Sequence, residues 1–295
     1  MTLVLTGLLG QAACAPSFPP DKAAEQLQGM VKKEYGRDVK AFLKGKTLWV
    51  YMPLEQGLLS KGFGVSEEAS DAIEDIVLCT HRIAMSTDDQ AIQYYTIVVS
   101  DTSQIGAEFT LIGAVQDIKR ARLLDISRSE FQKRLIREVK LNPLALGDSE
   151  GDHLRLTDIS KSRFLAEQIT RRIKQVIAED PVLKERYEAR AADWRYQNDT
   201  FVFLLSINDK TPAATEGGFR EENGLLDKSL TEIATVLHGY SFEDYEKVTL
   251  RELRSNLELE LSREEIELFH RGKLPFQKIQ IDTRQTTTPL GLLSN

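Results

Sequence analysis

The stretch "DVKAFLKGKTLWVYMP", residues 38–53, decides how the first half of the chain is read. Lys44-Gly45 breaks it into two β-strands joined by a tight turn. In the second strand Leu48, Val50 and Met52 point one way and Trp49 and Tyr51 the other, because side chains alternate along a strand. Both faces are apolar, so this strand lies inside its sheet, or one of its faces meets a partner.

Helical periodicity flanks the hairpin. Residues 21–35 place Ala23, Ala24, Leu27, Met30, Val31 and Tyr35 on one stripe, with Pro20 before it and Gly36 after it. After a glycine-rich loop, Ser66 opens a helix whose Ala69, Ala72, Ile73, Ile76, Val77, Thr80, Ile83 and Ala84 keep the 3.6-residue period. A second hairpin spans 92–100 and 108–123, and Ser127 and Glu130 stand at capping-box spacing before a further helix. The order helix, hairpin, helix, hairpin, helix predicts an α+β fold: an antiparallel sheet built from hairpins with helices packed on one face. The order suggests a duplicated unit, although no residue-level repeat supports it.

Residues 141–153, "LNPLALGDSEGDH", break the pattern with a proline, two glycines and several acids, and read as an interdomain linker or a long loop. Beyond them Asp158 is expected to cap a helix carrying Phe164, Leu165, Ile169, Ile173, Val176 and Ile177. Pro181 opens another, with Leu183, Tyr187, Ala191 and Trp194 on its apolar side. One strand, "TFVFLLSI", leads into the polar loop 208–224, and helices at 225–238 and 262–271 flank "LELELS", which alternates like a strand. "FQKIQID" reads as a final strand. The expected divisions are a leader and linker over 1–20, an α+β domain over 21–142, a mainly helical C-terminal part over 154–283, and a tail over 284–295.

The chain has 295 residues, 41% apolar and 28% charged, which is the composition of a folded body. Its net charge of -7 argues against general nucleic-acid binding, and no nucleic-acid partner is expected. From Glu216 to Glu267 there are 14 acidic and 6 basic residues. From Lys119 to Lys140 the balance reverses, with 8 basic and 3 acidic. These are solvated faces, or the basic run Lys119, Arg120, Arg122, Arg128, Lys133, Arg134 and Arg137 is a patch that faces anionic lipid or an acidic partner.

Few residues suggest chemistry. The two cysteines, Cys14 and Cys79, are too few for a disulfide framework or a zinc site. "GKT" at 45–47 lacks the first glycine of a phosphate-binding loop and fits the hairpin turn. Cys79 and His81, two apart on a helix, point away from each other. His81, His238 and His270 fall near helix C-termini, where an imidazolium would meet the negative end of the dipole. Asp148, Glu150, Asp152 and His153 offer ligand atoms at nearly alternate positions and could hold a calcium-like ion, or simply be solvated. No hydrolase, zinc-protease or redox motif is present, no catalytic residue can be named, and no cofactor is expected.

"TGLLGQAACAP", residues 6–16, ends an uncharged run of 12 residues, Thr2 to Ala13, too short to span a bilayer. Ala12 and Ala13 precede Cys14, and "APSFPP" follows. The arrangement resembles the signal peptide of bacterial lipoproteins, in which a peptidase cuts before a cysteine whose sulfur receives diacylglycerol. The resemblance implies lipidation at Cys14, a membrane partner and a place in the cell envelope facing the periplasm. Ala15, not Asp, favours the outer membrane. An ordinary cleaved signal, or an apolar element packed on the body, are the other readings of the run. Residues 94–131, "YYTIVVSDTSQIGAEFTLIGAVQDIKRARLLDISRSEF", are similar to segments of uncharacterised bacterial envelope proteins, which implies no activity. The expectation is a non-enzymatic, lipid-anchored envelope protein that binds another envelope component. The alternatives are an envelope hydrolase or small-ligand enzyme with a dispersed acidic site, and a cytosolic scaffold.

Overall fold

Strands β1 (Lys40–Lys44) and β2 (Thr47–Leu54) pair antiparallel across the Lys44-Gly45 turn. Gly45 adopts φ 57°, and a Cβ there would meet Asp158 Cγ at 2.3 Å, so both the turn and the approach of Asp158 require glycine. A computed structural model describes residues 18–55, 57–60, 64–87, 91–103, 105–210 and 218–283. The chain divides into two units, 1–159 and 160–295. The leader, Cys14 and the tail 284–295 lie outside the described residues.

In the first unit α1 (Ala23–Tyr35) precedes the hairpin and α2 (Glu67–Met85) follows it. Ser66 caps α2 by accepting from the backbone N–H of Ala69. β3 (Tyr94–Asp101) then pairs parallel to β2, with Val50 opposite Ile97. β4 (Ala107–Ala114) pairs antiparallel to β3, and β5 (Ile136–Leu141) antiparallel to β4, giving the order β1-β2-β3-β4-β5. The sheet is mixed, which corrects the antiparallel sheet expected from the hairpins. Each hairpin is internally antiparallel, but a helical crossover joins the two and returns the chain to run alongside β2.

Leu48, Val50, Met52, Ile97, Val99, Phe109 and Leu111 form one core cluster with Leu27 and Val31 of α1, Ile73, Ile76 and Ile83 of α2, and Ile118. Each such aliphatic side chain contributes about 1.5–3 kcal/mol by burial. The expected strand over 108–123 stops at Ala114. Residues 115–122 form α3 (Val115–Arg122), buried through Val115 and Ile118, and α4 (Arg128–Arg134) begins after the Ser127 cap.

The second unit is not mainly helical. It holds a five-stranded sheet in the order β6-β7-β8-β9-β10. α5 (Lys161–Glu179) is capped by Ser160, not by Asp158, and α6 (Pro181–Arg186) is short. The expected continuation of that helix is instead strand β6 (Tyr187–Gln197), paired antiparallel with β7 (Thr200–Asp209). Asn198 and Asp199, both at positive φ (49° and 53°), make the two-residue turn that matches strand twist. Helix α7 (Gly218–Gly239) crosses to β8 (Lys247–Glu252), which pairs parallel with β7. β9 (Leu257–Ser262), α8 (Arg263–His270) and the two-residue β10 (Asp282–Thr283) complete the unit, and Phe276–Lys278 is a 3-10 turn rather than part of a final strand.

Both units therefore thread the same path: helix, hairpin, helix, hairpin, helix, edge strand, with parallel pairing where the hairpins meet. The repeat is one of topology over half the chain each time, not a duplication inside the first 140 residues.

Candidate interaction surface

The second face of β2 is met by residues 143–159. Trp49 Nε1 donates to Thr157 O (2.9 Å), the Thr47 hydroxyl to Asp158 Oδ1 (3.2 Å), and Tyr51 OH to Asp148 O (2.5 Å). The apolar back of the strand is thus covered from within the first unit.

His153 is the centre of this contact. Its side chain is 4% exposed and lies between two carboxylates, with Nδ1 2.5 Å from Asp148 Oδ2 and Nε2 3.0 Å from Glu108 Oε2. Asp148 also accepts from the backbone N–H groups of Glu150 (3.0 Å), Gly151 (2.7 Å) and His153 (2.9 Å). Glu108 accepts from Lys140 Nζ (2.8 Å) and Asn142 Nδ2 (3.1 Å). Burial alone would raise both acids. For Glu108 the bonds and charge of Lys140, with Asn142 and His153, outweigh it and hold the carboxyl below its ordinary value. For Asp148 the backbone and ring N–H bonds hold the carboxyl well below the carboxylate range. The Tyr51 hydroxyl, buried and near Asp148, is pushed up to about 12.

Both ring nitrogens face carboxylate oxygens and the side chain is 4% exposed, so the ring points at neighbours within the unit and not into open solvent. The four residues proposed as metal ligands separate: Asp148 and His153 join the clasp, Glu150 pairs with Lys40 (2.5 Å), and Asp152 is exposed. Among the described residues no group of three His, Cys, Asp or Glu is arranged to hold a metal ion. Glu108 was missed because it lies 45 residues from His153. Its signal was a lone acid in the apolar strand "AEFTLIGA", where a buried charge needs a partner.

The basic run also divides. Arg134 is buried, with Nη1 2.9 Å from Asp117 Oδ1 and Nε 2.8 Å from Glu130 Oε1. Arg120 pairs with Asp125 (2.5 Å), and Arg137 donates to Gln132. Lys119 is half-buried, while Arg122, Arg128 and Lys133 are exposed.

His81 departs from the dipole reading. It contacts Tyr95 OH (3.0 Å) inside the fold, and burial, aided by the charge of Arg122, lowers its pKa to about 4. A depressed pKa favours the neutral ring, so its contribution to stability is complete above about pH 6.5 and is lost as the pH falls towards 4. Urea midpoints are expected to drop over that interval, and less steeply in His81→Gln. An equal slope in the variant would contradict the placement. Cys79 is a buried free thiol pushed up to about 11, chiefly by burial.

Among the described residues β5 is the last strand of the first sheet, and Val139 (47% exposed) and Leu141 (66%) are uncovered on it; Leu144 (72%) and Leu146 (46%) follow the strand, and Ile105 (51%) lies in the turn between β3 and β4. Among the described residues no helix is long and apolar enough to cross a membrane. Comparison with family models, curated proteins and solved structures finds no match.

Proposed function

We propose that this chain is a lipid-anchored protein of the bacterial envelope that acts by binding, holding an extended segment of another envelope protein along the β5 edge. The observation that carries the binding reading is the edge itself. Val139 and Leu141 stand opposite Phe109 and Ala107, which face the core, so an added strand with alternate apolar residues would extend an existing apolar face. Unpaired peptide groups on an edge strand supply the hydrogen bonds of such strand addition. The anchor reading is supported by the uncharged run before Cys14. Only about six residues then precede the first helical turn, reaching about 20 Å when extended.

The test uses cells. The wild-type chain is expected to leave membranes only with detergent, and Cys14→Ser with a high-salt wash. A photo-cross-linking residue at position 141 should give one adduct of discrete mass that position 67, at the start of α2, does not give. Salt release of the wild type would contradict the anchor, and no adduct at 141, or equal adducts at both positions, would contradict the edge.

A further inference from the structure

The turn between α3 and α4 carries two adjacent leucines almost wholly in solvent, Leu123 at 80% exposed and Leu124 at 88%. Its backbone is fully built. Leu124 N–H donates to Ala121 O (3.3 Å) and Asp125 N–H to Arg120 O (2.8 Å), the paired bonds that close a helix C-terminus. Ile126 is buried and Ser127 caps α4 through the N–H of Glu130 (3.0 Å), so both ends of the turn are fixed.

In this motif the residue after the C-cap is left-handed, and glycine fills it at least cost. Here that residue is Leu124, at φ 59°. Leucine is unfavourable there twice over, in backbone conformation and in its exposed side chain. At 88% exposure the Leu124 side chain gains little from packing against the described residues to offset this. Around the turn the exposed side chains of Arg122 and Arg128, with Lys133 further along α4, are cationic, and the one acid beside Leu124, Asp125, is paired with Arg120 (2.5 Å).

We propose that Leu123 and Leu124 insert into the interfacial region of an anionic phospholipid bilayer, with Arg122, Arg128 and Lys133 meeting the lipid phosphates. Two apolar side chains at the tip of a turn bury into the acyl boundary, and surrounding cations gain from the surface potential of anionic lipid. The proposal rests on the envelope reading for the nearby bilayer and on the turn alone for its geometry. Together with an acyl group at Cys14 it would give the two signals that stable membrane attachment takes.

The experiment isolates the turn by using the full chain with Cys14→Ser, so that no acyl group contributes. Sedimentation is measured with vesicles of phosphatidylcholine alone and with phosphatidylglycerol added at about one third of the lipid. Binding to the anionic vesicles is expected to exceed binding to the neutral ones and to weaken as salt is raised. It should fall about tenfold in Leu123→Ser with Leu124→Ser, and severalfold in Arg122→Gln with Arg128→Gln. Leu124→Gly separates this from unfolding: it should melt no lower than the parent and still bind more weakly. Equal binding to both vesicles, unchanged binding of the leucine variants, or no binding by the parent would each overturn the proposal. None of these outcomes bears on whether Cys14 is acylated in the wild-type chain.

Discussion

His153→Ala is expected to unfold about 3 kcal/mol more easily than the wild type, because it removes the group between two acids that are otherwise held close together. Glu108 is 3% exposed and Asp148 12%, so solvent does little to replace the lost ring. The local consequence is as specific as the global one. Amides of 146–158 should lose hydrogen-exchange protection before those of β3, since the clasp ties that segment to the sheet. A loss below about 0.5 kcal/mol with protection unchanged would show that the segment is held by Trp49, Thr47 and Tyr51 without the clasp. The same cluster sets a sign for acid. Both carboxyls lie below their ordinary values, so their contribution is complete above the usual carboxylate range and disappears as the pH falls through the depressed ones. His153→Ala should flatten that acid limb.

Arg134→Ala is expected to cost about 3 kcal/mol or more, whereas Arg122→Ala or Lys133→Ala should stay within about 0.5 kcal/mol. All belong to one basic run, but the side chain of Arg134 is 7% exposed and faces Asp117, which is 1% exposed. Truncation takes the guanidinium from a carboxylate that solvent cannot reach. Arg134→Met refills much of the volume without the charge and should remain strongly destabilised. Combined with Asp117→Leu it should recover most of the loss, because replacing both partners of a buried pair is often nearly neutral. Denaturant unfolding of the five variants beside the wild type reads this directly, and a mild effect of Arg134→Ala would return it to the solvated face.

The sequence made local pairings legible and concealed those that close over distance. The turn at Gly45, the helix after Ser66 and the alternation of "TFVFLLSI" were readable because each is set within about ten residues. β6 was misread because Leu183, Tyr187, Ala191 and Trp194 fall at helical spacing, while its bulge between Ala189 and Ala191 obscures the strand alternation. The better signal was Asn198-Asp199 standing between two aromatic strand ends, a hairpin turn in composition. Parallel pairing of β2 with β3 was hidden because a hairpin reveals its own register, not that of the next. At the clasp, "DSEGDH" was visible as a cluster of acids, but only Glu108, brought from β4, turns it from a possible ion site into a hydrogen-bonded latch. Among the basic residues, charge was countable and burial was not. Leu123 read as the end of a strand, with Leu124 just beyond it, and only their exposure at the turn between α3 and α4 gives them another meaning.

Intact-mass and peptide mass spectrometry of the wild-type chain extracted from bacterial membranes tests the central claim most directly. A mature protein that begins at Cys14 and carries thioether-linked diacylglycerol is the expected result. A chain that retains residues 2–13 with an unmodified Cys14 thiol would contradict it.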